Sequence, residues 1–335
     1  MKTAMRILSL LLAATLLATG LCSCKSAWEK EGEQVIGTCA GYDVLYEELR
    51  YVTLSYKDMF AATYGKDIWN TAESAETYRA ELEETVWDMM LNNYAVLAAC
   101  AYYGLGKDDL ESDAITAAVD AQIEEMIEYY GGKKTFRQAV EAMYMTEHFT
   151  RFCLSVAELE NELCYVLQDL GKVHKDQAKF LEWLEEGNYA YVQHVFLRND
   201  PGDDPAANLE KAREAEQLLR GGADIADLIG DKDYNEDAAN LAPYFLVKDV
   251  YDPALEKAAL SLRFDGDVSG VVETENGYYV LVRVESTTEK LMLQLPTLLT
   301  SYQWARTEAE VESFREKIAL ELNELGRSID LLTIQ

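Results

Sequence analysis

Of the 335 residues only three are histidines, His148, His174 and His194. Histidine is the side chain whose ordinary pKa lets it take or give a proton near neutrality. His194 stands inside Val192-Gln193-His194-Val195-Phe196-Leu197, a β-branched and aromatic run that reads as a strand. A lone histidine there is either a buried residue satisfied by its neighbours or one wall of a site. His148 and His174 sit singly on a helix or turn and read as solvated. Cys39, Cys100, Cys153 and Cys164 form no CxxC and no Cys/His cluster with zinc spacing. Cys153 and Cys164 share one helical pattern, about 16 Å apart, too far for a bridge that spans roughly 7 Å. They read as buried apolar fillers. No GxGxxG, GxSxG, P-loop or HExxH occurs, so no cofactor and no metal are expected. With 60 acidic residues, pairs such as Glu124-Glu125 and Asp203-Asp204 are explained by solvated faces.

The thiols at the start of the chain are different. Lys2 and Arg6 precede an apolar run from Ile7 to Leu21, which ends at Leu21-Cys22-Ser23-Cys24. A positive end, a greasy core short for a membrane span and a small residue before a cut site make a secretory signal. It resembles a bacterial lipoprotein signal, with Cys24 as lipid acceptor and 1–23 removed. Cys22 fits less well, since Leu21 would occupy the small-residue position. An ordinary signal peptide is the plainer alternative. A diacylated cysteine supplies two or three chains at about 0.8 kcal/mol per buried CH₂, enough for a stable tether. The body of the protein is then extracytoplasmic and lipid-anchored to the cell membrane.

About 310 residues remain, enough for two domains. Hydrophobic content of 49% argues against disorder. The net charge is −30, and loss of Lys2 and Arg6 makes it −32. Such a field repels nucleic acid and anionic polymers, so no nucleic-acid partner is expected. Solubility and mutual repulsion are the everyday uses of that charge.

Helical periodicity dominates first. Val86, Met90, Tyr94 and Leu97 recur with helical spacing before Gly104. Ile115, Val119, Ile123, Met126 and Tyr130 repeat the pattern before Gly131-Gly132, and Val156, Leu159, Leu163, Val166 and Leu170 before Gly171. Each is an amphipathic stripe that must bury its apolar side. At Gly187 the period changes. Tyr189–Leu197 reads as a strand, Leu209–Leu219 and Ile225–Ile229 as helices, Pro243–Val247 as a short strand, and Pro253–Leu262 as a helix opened by proline. Val268–Thr274 and Tyr278–Val284 flank Glu275-Asn276-Gly277, a strong hairpin signal. Residues 187–286 thus spell β-α-α-β-α-β-β. Beyond Glu285, Val311, Phe314, Ile318, Leu322 and Leu325 fall on one helical face. A lone helix needs cover, so it is expected to return to the N-terminal helices, leaving the α+β segment as an insertion.

The segment 187–286 resembles a parvulin-type peptidyl-prolyl isomerase domain. The likeness rests on the histidine-bearing strand, on Gly221-Gly222-Ala223-Asp224-Ile225, on Pro253-Ala254-Leu255-Glu256-Lys257-Ala258-Ala259-Leu260, and on Gly266-Asp267-Val268-Ser269 before Thr274-Glu275-Asn276-Gly277-Tyr278-Tyr279. Residues 33–170 are similar to the helical region of extracytoplasmic foldases of the SurA and PrsA kind, through Gly41-Tyr42-Asp43-Val44-Leu45 and Ala101-Tyr102-Tyr103-Gly104. The expected fold class is α+β. It comprises a signal (1–23), a helical chaperone domain (24–186), an inserted isomerase-like domain (187–286) and a C-terminal helix (287–335) that completes the helical domain.

The resemblance implies rotation about X-Pro bonds, or rotamase activity, in unfolded or partly folded exported polypeptides. It also implies chaperone-type binding. Carried over by position, the family's first histidine falls on His194 and the second on Tyr279. The acid-or-thiol position falls near Asn235, with Asp233 or Asp237 as alternatives, and the methionine and phenylalanine that grip proline fall on Tyr251 and Leu255. Only His194 is unchanged, and Asn240-Leu241-Ala242-Pro243 replaces a glycine-rich stretch. Tyr279 and Leu255 read at least as readily as core residues. A chaperone that binds clients without catalysis is therefore the main alternative, and a solute-binding or scaffold lipoprotein a more distant one. Tyrosine, present 21 times, suits both client binding and ordinary cores.

Overall fold

The computed structural model describes residues 27–199, 204–237 and 241–335; the signal and Cys24 lie outside them. Among the described residues seven short strands form two antiparallel sheets. They are β1 (Val35–Cys39), β2 (Tyr42–Leu45), β3 (Tyr189–Arg198), β4 (Tyr244–Val247), β5 (Val272–Thr274), β6 (Gly277–Arg283) and β7 (Glu321–Leu322). One sheet has the order β2-β1-β7 and the other β4-β3-β6-β5. The chain divides into two compact units, one of residues up to Leu167 with Thr307–Gln335, the other Gln168–Arg306. The fold is mainly helical with small antiparallel sheets, as the α+β reading expects.

In the first unit the stripes are core. Val86, Met90, Tyr94 and Leu97 are buried along the helices Ala72–Met89 and Leu91–Tyr102, and Ile115, Val119 and Ile123 along Asp113–Tyr129. Val156, Leu159 and Leu163 are buried on Glu147–Asp169, whereas Leu170 lies beyond that helix and is exposed. Cys39, Cys100 and Cys164 are buried and Cys153 partly so, and none of the four forms a disulfide among the described residues. Burial pushes the Cys39 thiol up to about 11 and the Cys100 thiol up to about 12, so both stay protonated and unreactive.

The sheet of this unit was not legible from periodicity. Ala40 and Gly41 both have positive φ, 50° and 85°, which is the backbone of a two-residue hairpin turn, and Cys39 pairs with Tyr42 across it. The turn lacks an Asn-Gly signal, so the strands pass for part of a helical region. The C-terminal face is corrected for the same reason. Val311 and Phe314 are buried, but the helix ends at Arg315 and residues 321–322 pair with Thr38 and Gly37 as β7, so Ile318, Leu322 and Leu325 do not extend it. Strand pairing satisfies backbone groups that a continued helix would otherwise have used.

His148 is exposed, as read, but it is not isolated. Its Nδ1 lies 2.5 Å from the carboxylate of Glu47, which is 1% exposed and also accepts from Thr146 Oγ1. Beside it Glu48 accepts from Tyr94 Oη at 2.8 Å and from the Leu45 N–H at 3.0 Å. Burial raises Glu48 to about 7. His174 is likewise packed, its ring 5.3 Å from Trp183 and 5.5 Å from Tyr302, with Phe180 fully buried among them.

The second unit carries the β-α-α-β-α-β-β order. The helices Pro205–Arg220 and Ile225–Ile229 follow β3, and Pro253–Ser261 follows β4. Strand β3 is central, pairing with β4 on one side and β6 on the other. Side chains alternate along it. Ala190 and Val192 pack with Leu246, Leu255, Ala259 and Leu281, while Val195 packs with Ala215, Leu219, Ile225 and Val280. The sheet is therefore covered by the helix Pro253–Ser261 on one face and by Pro205–Arg220 with Ile225–Ile229 on the other. The hairpin turn is Glu275-Asn276, and Gly277 already belongs to β6. Its φ of 141° and the Leu197 carbonyl oxygen, which would lie 2.1 Å from an added Cβ, leave room only for glycine.

Candidate functional site

His194 follows Ala190 and Val192 on the face of β3 that the helix Pro253–Ser261 covers. It lies opposite Leu281, while Phe196 lies opposite Tyr279 and Val192 opposite Tyr244. Register alone thus brings three rings around one imidazole. The His194 ring is 5.2 Å from Tyr279 and 5.5 Å from Tyr244, both edge-on, and Tyr279 stacks on Phe196 at 4.2 Å. Tyr251 lies 5.9 Å from Tyr244, and its phenol donates to the Phe245 carbonyl at 3.3 Å. Leu255 is buried in the cluster against which Tyr244 and Tyr279 pack.

His194 is 3% exposed, so both ring nitrogens need partners. Nδ1 is 3.0 Å from Tyr244 Oη and Nε2 is 3.1 Å from Asp237 Oδ2. Burial lowers the His194 pKa, although Asp237 pulls it the other way, and burial raises that of Tyr244. A neutral imidazole beside an ionised carboxylate carries its proton on Nε2 and donates it to Asp237. Nδ1 then accepts from Tyr244. Both nitrogens are spent internally, so His194 organises the face, and the phenols and Leu255 form it. Burial also raises the pKa values of Tyr251 and Tyr279, so both phenols stay protonated donors.

Asn235 is buried and holds the loop. Its Oδ1 accepts from the Phe196 N–H at 3.1 Å, and its Nδ2 donates to the Ile229 and Asp237 carbonyls, each at 3.2 Å. The acidic group that reaches the imidazole is Asp237, two residues on. Asp252 starts the covering helix by accepting from the Ala254 N–H at 2.7 Å and the Leu255 N–H at 3.4 Å. Glu256 takes the N–H groups of Val250 and Tyr251, both at 2.8 Å, and so fixes the turn that presents Tyr251.

The structure therefore brings His194, Tyr279, Tyr251 and Leu255 to one face and sets Asn235 behind it. Sequence reasoning missed Tyr244. Its signal was present, since a tyrosine opening a short strand directly after Pro243 has a polar tip to satisfy. No group of three or more His, Cys, Asp or Glu suited to a metal occurs among the described residues. A separate open groove in the first unit is lined by Val35, Gly37, Thr38, Leu322 and Arg327 and shares none of these side chains.

The second unit's β-α-α-β-α-β-β fold, with a histidine-bearing central strand and an aromatic face under its last helix, defines a parvulin-like α+β unit. Two curated relatives are PrsA foldases. The chain is 43% identical over 81 residues to foldase protein PrsA 2 of Listeria innocua, covering 22% of this chain and 26% of that one. The same values hold for foldase protein PrsA 2 of Listeria monocytogenes serotype 4b. The chain thus spans about a quarter of the length of the curated relatives it matches. Among solved structures, it is similar to the peptidylprolyl isomerase PrsA of Bacillus anthracis with TM-score 0.40 and 15% identity, over 68% of this chain and 96% of that one. It is also similar to a SurA-like chaperone of Campylobacter jejuni with TM-score 0.28 and 13% identity, over 87% and 99%. No protein-family profile matches the chain. The curated relatives bear out the resemblance to foldases of the PrsA kind.

Proposed function

We propose that this chain is a membrane-anchored extracytoplasmic foldase that binds unfolded exported polypeptides and assists their folding at the His194 face of the second unit. The observation that carries the reading is a neutral imidazole locked between Tyr244 and Asp237 behind Tyr251, Tyr279 and Leu255. An X-Pro amide rotates slowly because twisting sacrifices resonance, at a barrier near 18–20 kcal/mol. No bond has to break. A partly dry face that grips the proline ring favours the twisted amide, whose carbonyl has lost conjugation, over the planar one. Here the Tyr251 and Tyr279 rings supply apolar contact over the buried Leu255. The Tyr279 phenol supplies the donor, since the Tyr244 and Tyr251 hydrogens are already given to His194 and to the Phe245 carbonyl. His194 positions these groups and exchanges no proton with the client.

Binding without catalysis is the second reading. It is favoured by a specific observation: the position of the family's second histidine holds Tyr279, and both nitrogens of His194 are engaged internally. A protease-coupled proline-peptide assay on the chain from Lys25 onward separates the two. Isomerisation lost in Tyr279→Phe and His194→Ala supports catalysis. No acceleration, with suppression of client aggregation unaffected by His194→Ala, supports chaperoning alone. Neither effect refutes the proposal. Anchoring rests on Leu21-Cys22-Ser23-Cys24. Labelled fatty acid incorporated by the expressed chain and lost in Cys24→Ala tests it, and label retained in that variant refutes it.

A further inference from the structure

The residues of the aromatic face differ in what holds them. Tyr279 and Tyr244 are fixed in the sheet opposite Phe196 and Val192, and Leu255 is buried on the helix Pro253–Ser261. Tyr251 comes instead from the turn 248–251 after β4, and it is 39% exposed. That turn contains Asp249 at φ 64°, a left-handed conformation unfavourable for a residue with a Cβ. Such a turn persists only where its surroundings hold it. Glu256 supplies that hold. From the covering helix its Oε1 accepts the N–H groups of Val250 and Tyr251, both at 2.8 Å, although the residue is itself buried. Successive N–H groups beside a left-handed residue form a concavity that favours an anion, and the carboxylate fills it. The other ties act elsewhere. The Lys248 N–H donates to the Asn188 carbonyl at 3.0 Å, and the Tyr251 phenol to the Phe245 carbonyl at 3.3 Å. The Asp249 carboxylate stands 3.8 Å from Arg306 Nη1, a part-exposed pair of little energetic weight.

A binding surface formed in advance binds more tightly than one its ligand must first order. Resting on the client-binding reading above, we infer that Glu256 is a positioning residue for client binding: it keeps the Tyr251 ring on the face in the free protein and acts on affinity only through that ring. Its carboxylate is spent on the turn backbone and touches no client. A carboxylate that merely stabilised the unit would weaken every client contact alike, with Tyr251 present or absent.

The test uses the chain from Lys25 onward and a short peptide with alanine before proline, followed by chemical-shift titration. Glu256→Ala should weaken binding about three- to ten-fold, and Glu256→Gln, which keeps an accepting oxygen without the charge, about two-fold. In a Tyr251→Ala background Glu256→Ala should change affinity by less than about two-fold. Asp249→Gly relieves the left-handed residue, so adding it to Glu256→Ala should recover about two-fold or more of the lost affinity. No loss in Glu256→Ala, or an equal loss with and without Tyr251, overturns the inference but leaves the client-binding reading standing. No binding by the native chain defeats that reading instead. Should Glu256→Ala fail to fold, Glu256→Gln is compared in the same two backgrounds, where an equal effect or none is the contrary result. Should Tyr251→Ala bind too weakly to titrate, recovery by Asp249→Gly decides, and its absence overturns the inference.

Discussion

Replacing Asp237 by asparagine keeps the shape of the His194 cradle and removes its charge. In the native chain the imidazole Nε2–H meets a carboxylate at 3.1 Å, with the Asp237 side chain 17% exposed and His194 3% exposed. A hydrogen bond to a charged partner is worth about 1.5–3 kcal/mol, and a neutral one about 1 kcal/mol. Asparagine can still accept through its amide oxygen, so the loss should be about 1–2 kcal/mol in the second unit. The same change removes the influence that holds the His194 pKa up, so its titration should move further below the ordinary histidine range. Hydrogen exchange along Tyr189–Arg198 measures the first effect, since opening of the central strand reports the stability of its own unit. Titration of the imidazole signal measures the second. Unchanged protection, or a His194 titration that stays put or rises, would refute the arrangement of a neutral ring donating to an ionised aspartate.

The two units should answer pH in opposite directions. Burial raises Glu48 and Glu160 in the first unit to about 7 each. A carboxyl raised in the fold stabilises below its unfolded pKa and loses that contribution as pH rises through the folded one. The first unit should therefore gain stability as pH falls from about 8 to 5, by at most about 3 kcal/mol per group. Urea unfolding followed in that unit checks this, and Glu48→Gln should flatten the profile. His194 is lowered in the fold, so its contribution is fully present above the ordinary histidine pKa and is lost as pH falls through the folded value. Protection of Tyr189–Arg198, corrected for intrinsic rates, should decline on that limb. Phe180→Ala should cost the second unit about 3–5 kcal/mol, because a fully buried ring leaves a cavity among His174, Trp183 and Tyr302, read as a drop in melting midpoint. Gly277→Ala should disrupt the pairing of β3 with β6 and cost several kcal/mol, seen as lost protection on both strands.

The parts of the fold that read well from sequence are those where local chemistry and tertiary packing agree. The hairpin turning at Glu275-Asn276 and signalled by Asn276-Gly277, the proline-led helix from Pro253 and the strand around His194 each carry their own signal. Ile225–Ile229 reads to the residue because Asp224 caps it and Gly230 follows. The first unit's sheet was opaque because its turn is Ala40-Gly41 and its third strand is two residues long, recruited from over 280 residues away. The site was half legible. Resemblance aligned Tyr251, Leu255 and Tyr279; cross-strand register brings Tyr279 beside His194, while the turn and helix that follow β4 carry Tyr251 and Leu255. It did not reveal that Tyr244 and Asp237 occupy both nitrogens of that ring, since hydrogen-bond partners across strands and loops leave no period in the sequence. Asn235 illustrates the limit. A polar residue near a site can serve the loop that carries the functional group, and only the geometry of its amide distinguishes the two.

The central claim is that exported proline-containing segments bind the face made by Tyr251, Tyr279 and Leu255. The most direct measurement is a chemical-shift titration of the labelled chain from Lys25 onward with a proline peptide, read at those three residues and at the His194 ring. The account predicts saturable shifts centred on them, with the His194 signal moving but remaining neutral. Saturable shifts confined to other residues, with this face silent, would contradict it.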